Sequence, residues 1–348
     1  MQLSVCMIVR DEEDVLARSI ACALAVADEV IVVDTGSADG SAAIARAAGA
    51  KVYDFEWRDD FSAARNYSFS LASGEYIMWL DADDVIDGED AEQIRRLVAE
   101  GGFDVAMLGY RSGDLYYFRE RILRRSMNFV WKGVVHEVIE PRGRVVYSSA
   151  KIVHKKLKKG DPLRNLFIYQ RHIAGGMRLD GRQQFYYGRE LFYCSMYAQA
   201  IAVLDQFLRG DGWAVNKAEA CRTLYYCHRA LGDGDRAVSA LTDAFLYLPP
   251  RAQDCCLLAA ELFAQKNYAC ARYWYEHALQ SPERAEEGGF VADGYSSFIP
   301  LINLVAVCVA LGDLPAAVRY NERAGALKPG HPSYLANAEY FKRTGALP

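Results

Sequence analysis

A chain of 348 residues exceeds one ordinary domain, so two are expected. The formal net charge of −5 leaves no dominating basic face and argues against a nucleic-acid partner. No apolar run reaches the roughly 18 residues that an integral membrane segment needs, the longest candidate, 20–33, being broken by Asp28 and Glu29.

Residues 3–9 read as an apolar strand ending in Arg10-Asp11-Glu12-Glu13, with a helix following to about residue 27. A second strand, 29–33, ends in Asp34-Thr35-Gly36-Ser37-Ala38-Asp39-Gly40-Ser41, and a helix over 41–50 comes next. A helix over 61–71, carrying Arg65-Asn66, precedes a third strand at 76–80 that runs into Asp81-Ala82-Asp83-Asp84. Wholly apolar strands alternating with helices predict a parallel sheet. Ligands of such sheets bind beyond the carboxyl ends of the strands. Three strand ends therefore converge on one crevice, with Val9, Arg10 and Glu12 on the first, Asp34 on the second, and Asp81 with Asp83 on the third. In an extended segment Asp81 and Asp83 share a face, so both can address one divalent ion, Mg²⁺ or Mn²⁺ by the hardness of their oxygens. Asp84 and Asp87 read as solvated turn residues. Farther on, Trp131-Lys132-Gly133-Val134-Val135 leads to His136-Glu137. A short β-rich run (145–148, 152–153) leads to His154 and to Lys155, Lys156, Lys158 and Lys159, a lid or, more simply, a solvated stretch between domains.

Four segments, MIVRDEEDVL, VIVVDTGSADGS, FSAARNYSFSLASGEYIMWLDADD and WKGVVHEVI, resemble the family-2 glycosyltransferases of GT-A fold, in order and spacing, over about residues 1–155. The resemblance implies an α/β, Rossmann-like GT-A domain, 1–160, that binds a nucleotide-sugar donor, a UDP-sugar by preference. Val9, Arg10, Glu12 and Asp34 would then face the nucleotide. Asp39 stands equally as nucleotide contact or as helix cap, and Arg65 equally as diphosphate contact or as partner of Asp59 or Asp60. Asp81 and Asp83 would hold the ribose and a Mn²⁺ or Mg²⁺ on the diphosphate, with His154 completing the metal site and tilting the choice towards Mn²⁺. Inversion at the sugar needs a base for the acceptor. The family's acid at this place matches Glu137, with His136 as the alternative; the pair departs from the family's commoner Glu-Asp form. A sugar-nucleotide nucleotidyltransferase would carry a Gly-rich phosphate loop after the first strand, and Val9-Arg10-Asp11-Glu12-Glu13 offers none.

From about Asp161-Pro162 the periodicity turns helical, giving an all-α second domain, 161–348. Ala200, Ala237, Ala271 and Ala317 occupy matching places, and Phe207, Ala244, Ala278 and Ala324 follow them in the same register. The spacing stays near the ~34 residues of tetratricopeptide repeats, the last interval being longer. Stacked repeats bury a continuous core and leave a surface for a partner. Tyr225, Tyr226, His228, Tyr273 and Tyr275 read as packing and groove residues. The nine cysteines show no Cys-X-X-Cys spacing, and no leader-like succession opens the chain, so reduced thiols and a cytoplasmic location are expected. The domain order resembles that of sublancin-type peptide S-glycosyltransferases, which implies a peptide or protein acceptor offering a hydroxyl or thiol, and a homodimer through the helical part. A glycan acceptor in cell-envelope polysaccharide synthesis is the alternative. A non-enzymatic peptide-binding repeat protein is a third reading, against which the intact Asp81/Asp83 pair speaks.

Overall fold

A computed structural model of the chain describes residues 2–113, 115–155, 160–281 and 291–345. Lys156, Lys158 and Lys159 of the lysine run lie outside the described residues. The chain divides into two compact units, Met1–Leu179 and Asp180–Pro348.

The first unit is built on β1 (Leu3–Val9), α1 (Leu16–Val26), β2 (Glu29–Asp34), α2 (Ser41–Ala47), β3 (Lys51–Asp54), α3 (Phe61–Ser70), β4 (Tyr76–Trp79), β5 (Asp84–Val85) and α4 (Gly88–Glu100). It continues through β6 (Val105–Ser112), β7 (Leu115–Arg124), β8 (Val145–His154) and α5 (Arg164–Ala174). These strands form one sheet in the order β3-β2-β1-β4-β7-β6-β8-β5. The β3-β2-β1-β4 half is parallel. Beyond it β7 runs antiparallel to β4 and to β6. β1, β2 and β4 bury both faces, and their side chains alternate accordingly, while β3 at the edge is partly exposed. Leu3, Val5, Met7, Val30, Val32, Tyr76 and Met78 pack in one core with Leu16 and Ile20 of α1 and Ile94 of α4. Cys6, Ile31, Val33, Ile77 and Trp79 point to the other face, against Phe69 of α3, Trp131 and Ile139.

The change to helical periodicity near residue 161 would assign α5 to the second domain. It belongs to the first unit, because Tyr169 is fully buried there and its hydroxyl donates to Val135 C=O at 3.3 Å. Arg171 adds an ion pair with Asp59 at 2.6 Å.

The second unit is α6 (Gly181–Tyr193), α7 (Tyr197–Arg209), α8 (Ala214–Ala230), α9 (Gly234–Asp243), α10 (Ala252–Ala264), α11 (Tyr268–Ala278), α12 (Phe298–Ala310), α13 (Leu314–Leu327) and α14 (Pro332–Arg343). Successive helices pair, α6 with α7, α8 with α9, α10 with α11 and α12 with α13, in tetratricopeptide-like fashion. The small residues that marked the repeat are what allow this, since Ala200, Ala237, Ala271, Ala278, Ala317 and Ala324 are all fully buried. Among the described residues no helix is long and apolar enough to cross a membrane.

Candidate active site

Asp60 starts α3 by accepting the backbone N–H of Ala63 at 3.0 Å, the ordinary service of an Asp at a helix N-terminus. Ser62, Arg65, Asn66 and Phe69 then recur at the spacing that places side chains on one helix face. Phe69 enters the core, and the polar three reach the segment 131–138. Asn66 brackets Trp131, donating to its C=O at 3.0 Å and accepting its N–H at 2.8 Å. Ser62 donates to Gly133 C=O at 2.5 Å. The segment closes on itself through paired backbone bonds between Lys132 and Val138. Its turn needs left-handed backbone at Gly133 (φ +100°) and at His136 (φ +52°). Glu137 is thereby turned towards α3, where its Oε1 accepts Arg65 Nε at 2.6 Å.

Arg65 donates from a second nitrogen to Asp81 Oδ1 at 2.7 Å. It pairs with neither Asp59 nor Asp60, which are occupied by Arg171 and by the start of α3. The arginine is 7% exposed, so both bonds lie in low dielectric. Burial works against its charge, but Asp81 and Glu137 outweigh that and raise its pKa. For Asp81 burial favours the neutral acid, yet Arg65, then Arg121, hold the carboxyl down to about 2.

The acidic strand end does not stay extended. Asp84 N–H bonds back to Asp81 C=O at 3.1 Å, making a turn, and Ser19 of α1 donates to Ala82 C=O inside it. The two-residue alternation expected for Asp81 and Asp83 is therefore lost. Asp81 goes to Arg65, while Asp83, Asp84 and His154 come together with their ligand atoms within 4.8 Å of one another. His154 arrives because β5 pairs antiparallel with β8 in a register that sets it opposite Asp84.

Asp84 is not a solvated turn residue; it is fully buried. Its Oδ2 accepts Arg121 at 2.9 Å and the Asp81 N–H at 3.1 Å. Arg121 is itself fully buried and comes from an irregularity in β7. The β6–β7 register shifts so that Ala106 faces Ile122 while Met107 faces Glu120, leaving Arg121 as the extra residue. Bulges re-aim side chains in this way. The guanidinium lies 3.5 Å from the Trp79 ring centroid and 4.6 Å from that of Tyr110. Asp87, by contrast, is exposed and caps α4 through the Asp90 N–H at 2.9 Å.

The grouping fits a hard divalent cation. Asp84 Oδ1 and His154 Nδ1 are buried without a hydrogen-bond partner among the described residues. His154 Nδ1 sits 3.1 Å from Asp83 Oδ1 and 3.5 Å from Asp84 Oδ1, near enough for charge to act but not aligned to donate. The Asp83 and Asp84 carboxylates push its pKa up to about 10 against the cost of burial. Two carboxylates and an imidazole are a donor set for Mn²⁺ or Mg²⁺.

The other strand ends form a polar rim. Val9 C=O accepts both the N–H (2.9 Å) and the hydroxyl (3.0 Å) of Thr35, and Arg10 is exposed beyond it. Glu12 N–H donates to Ser41 at 2.8 Å. Asp34 is buried, its Oδ1 accepting the N–H groups of Gly36 and Ser37 at 3.0 and 2.7 Å. Asp39 uses both oxygens to fasten loops, one on Ser41 (2.9 and 2.6 Å) and one on Glu13 N–H at 3.1 Å. Asp39 thus serves the helix start and the neighbouring loop. Sequence reasoning missed Arg121, Arg119 and Trp79. Arg119 pairs with Glu120 at 3.0 Å and lies 4.8 Å from the Trp79 centroid.

Residues 4–172 match the family model described as glycosyl transferase family 2. A TPR repeat-containing protein of Synechococcus elongatus is 38% identical over 143 residues, covering 40% of this chain and 36% of the relative. The succinoglycan biosynthesis protein ExoU of Rhizobium meliloti is 37% identical over 109 residues, 29% of this chain and 31% of the relative. The prophage-derived glycosyltransferase SunS of Bacillus subtilis is 29% identical over 118 residues, 32% of this chain and 28% of the relative. The matched stretch spans about a third of the length of these relatives.

Proposed function

We propose that this chain, of which residues 4–172 match the glycosyl transferase family 2 model, moves a sugar from a nucleoside-diphosphate donor, a UDP-sugar, to an acceptor hydroxyl or thiol with inversion at the anomeric carbon. One observation carries the reading. The cation-fitting group Asp83, Asp84 and His154 stands at the strand ends with a further carboxylate, Glu137, linked to it through Arg65 and Asp81.

The acceptor is activated by Glu137. Its Oε1 is held by Arg65, and Oε2 has no hydrogen-bond partner among the described residues, so this oxygen takes the acceptor proton. The acceptor's freed electron pair attacks the anomeric carbon as the bond to the diphosphate oxygen breaks, with that pair leaving on the nucleoside diphosphate. Asp83, Asp84 and His154 would hold Mn²⁺ or Mg²⁺, which when bound neutralises charge on the departing diphosphate. Arg10, Glu12 and the second oxygen of Asp34 form the end that takes the nucleotide. The helical unit takes a peptide or protein acceptor, in keeping with the surfaces repeat stacks offer. A second reading, a glycan acceptor, is favoured by the likeness to a succinoglycan biosynthesis protein.

The test combines binding and transfer. UDP with Mn²⁺ should raise the melting temperature of the protein, and Asp83→Ala should abolish the Mn²⁺-dependent part. Equal stabilisation of both proteins, with and without metal, would remove the metal assignment. Mass spectrometry of peptide, protein and oligosaccharide acceptors incubated with UDP-sugars separates the two acceptor classes by which one gains the sugar's mass.

A further inference from the structure

Arg65 touches carboxylates on two different loops, 16 and 72 positions away in sequence. Its guanidinium is wedged between two indoles, 5.0 Å from the Trp79 centroid and 4.9 Å from that of Trp131. Both indoles are themselves buried and meet edge-to-face at 5.0 Å. The arginine therefore has a fixed plane, and two of its three nitrogens are committed. A planar fork can hold two carboxylates at a set separation and angle, whereas an ammonium acts as a single point charge. What this arrangement fixes is the distance between Glu137 and the acidic strand end.

We propose that Arg65 is a positioning residue for the transfer step, setting Glu137 so that its Oε2 meets the acceptor proton while the same guanidinium anchors Asp81 on the donor side. This rests on the reading of Glu137 as the base. Proton transfer needs hydrogen-bond reach and direction, and a displacement of about 1 Å in such a group costs on the order of 10²-fold in rate. Arg65 takes no proton and contacts no reacting atom; its effect passes through Glu137.

A cycle of four full-length proteins tests this: wild type, Arg65→Lys, Glu137→Gln and the double variant. Each is first checked by circular dichroism and melting. Turnover and KM are then measured on whichever of UDP-glucose, UDP-galactose, UDP-N-acetylglucosamine and UDP-N-acetylgalactosamine the wild type hydrolyses fastest. Arg65→Lys should lower kcat by about 10- to 100-fold, with KM changed by no more than about threefold, as expected for an interaction made mainly in the transition state. In the Glu137→Gln background the same substitution should cost no more than about threefold, because residues acting as a unit are not additive. Losses that multiply across the cycle, or a loss carried wholly by KM, overturn the positioning role. A fully active Glu137→Gln instead overturns the base assignment and the proposal with it. If Arg65→Lys does not fold, Arg65→Gln replaces it in the same cycle with the same expectations.

Discussion

In the first unit buried charge converges. Arg65, Arg119 and Arg121 all lie within 5.0 Å of the Trp79 ring centroid, and their partners are Asp81, Asp84, Glu120 and Glu137. In the second unit charged ties are spread along the stack. Arg222 of α8 holds Asp254 of α10 at 2.7 Å, and Tyr225 donates to Glu261 at 2.7 Å. Arg272 of α11 holds Asp313, at the start of α13, at 2.9 Å. Burial and charged partners act on Arg222 as on Arg65, and both pKa values rise. A shifted pKa alone therefore does not tell an active site from a structural tie. Access does. Arg222 and Asp254 are sealed, with side chains 5% and 4% exposed, whereas Asp81 keeps 32% of its side-chain surface open at the strand ends.

Three measurements can break or sharpen this contrast. The largest effect should come from Glu137→Gln, which removes the proton acceptor but keeps the shape, lowering turnover about 10²- to 10⁴-fold. Calorimetry should find UDP–Mn²⁺ binding close to that of wild type, and His136→Ala should be milder in turnover; the opposite ranking would move the base to His136. Next comes Arg222→Ala, which strands two acids, Glu219 and Asp254, in the helix stack. Removing one side of such a buried pair costs about 3–5 kcal/mol, read by denaturant unfolding, with UDP binding to the folded protein unchanged. A variant that kept its stability and lost turnover would erase the distinction between the two units.

The smallest effect concerns Glu29, a buried acid remote from the strand-end site. Burial opposes its ionisation, but Lys51 at 2.6 Å, Ser4 at 2.6 Å and Ser73 together pull its pKa down to about 2. The folded value lies below the ordinary 4.5, so this stabilisation is complete above about pH 4.5 and is lost as pH falls towards 2. It amounts to about 3 kcal/mol. The stability gap between wild type and Glu29→Gln should shrink across that window in acid unfolding; a constant gap would show that the carboxylate acts by shape alone.

Much of the first unit could be read before any coordinates. Strands 3–9, 29–33 and 76–80 reappear as β1, β2 and β4 because each is apolar on both faces, a signal local to a few residues. The repeat register was legible for the same reason, since close helix packing demands alanine at fixed places. The site was legible only in part. Asp83 and His154 do come together, but Asp84 looked like turn chemistry because its partner, Arg121, lies 37 positions away. That arginine reaches it through a bulge, and a register shift leaves no local mark in the sequence. Arg65 was legible as a partner of an acid, but Asp81 and Glu137, the acids it pairs with, were fixed by the fold and not by proximity along the chain as Asp59 and Asp60 are.

The place of α5 has a practical bearing on how the first unit can be isolated. A protein cut near residue 160, where the composition changes, would keep the acids of the strand ends and His154. It would lose the Tyr169 hydroxyl that steadies Val135 at 3.3 Å and the Arg171 tie to Asp59. His136 and Glu137 directly follow Val135. Such a fragment would keep the acidic cluster while the segment bearing His136 and Glu137 lost its support, and any defect it showed would be misread as the effect of a missing helical unit. A cut after Leu179 avoids that confusion.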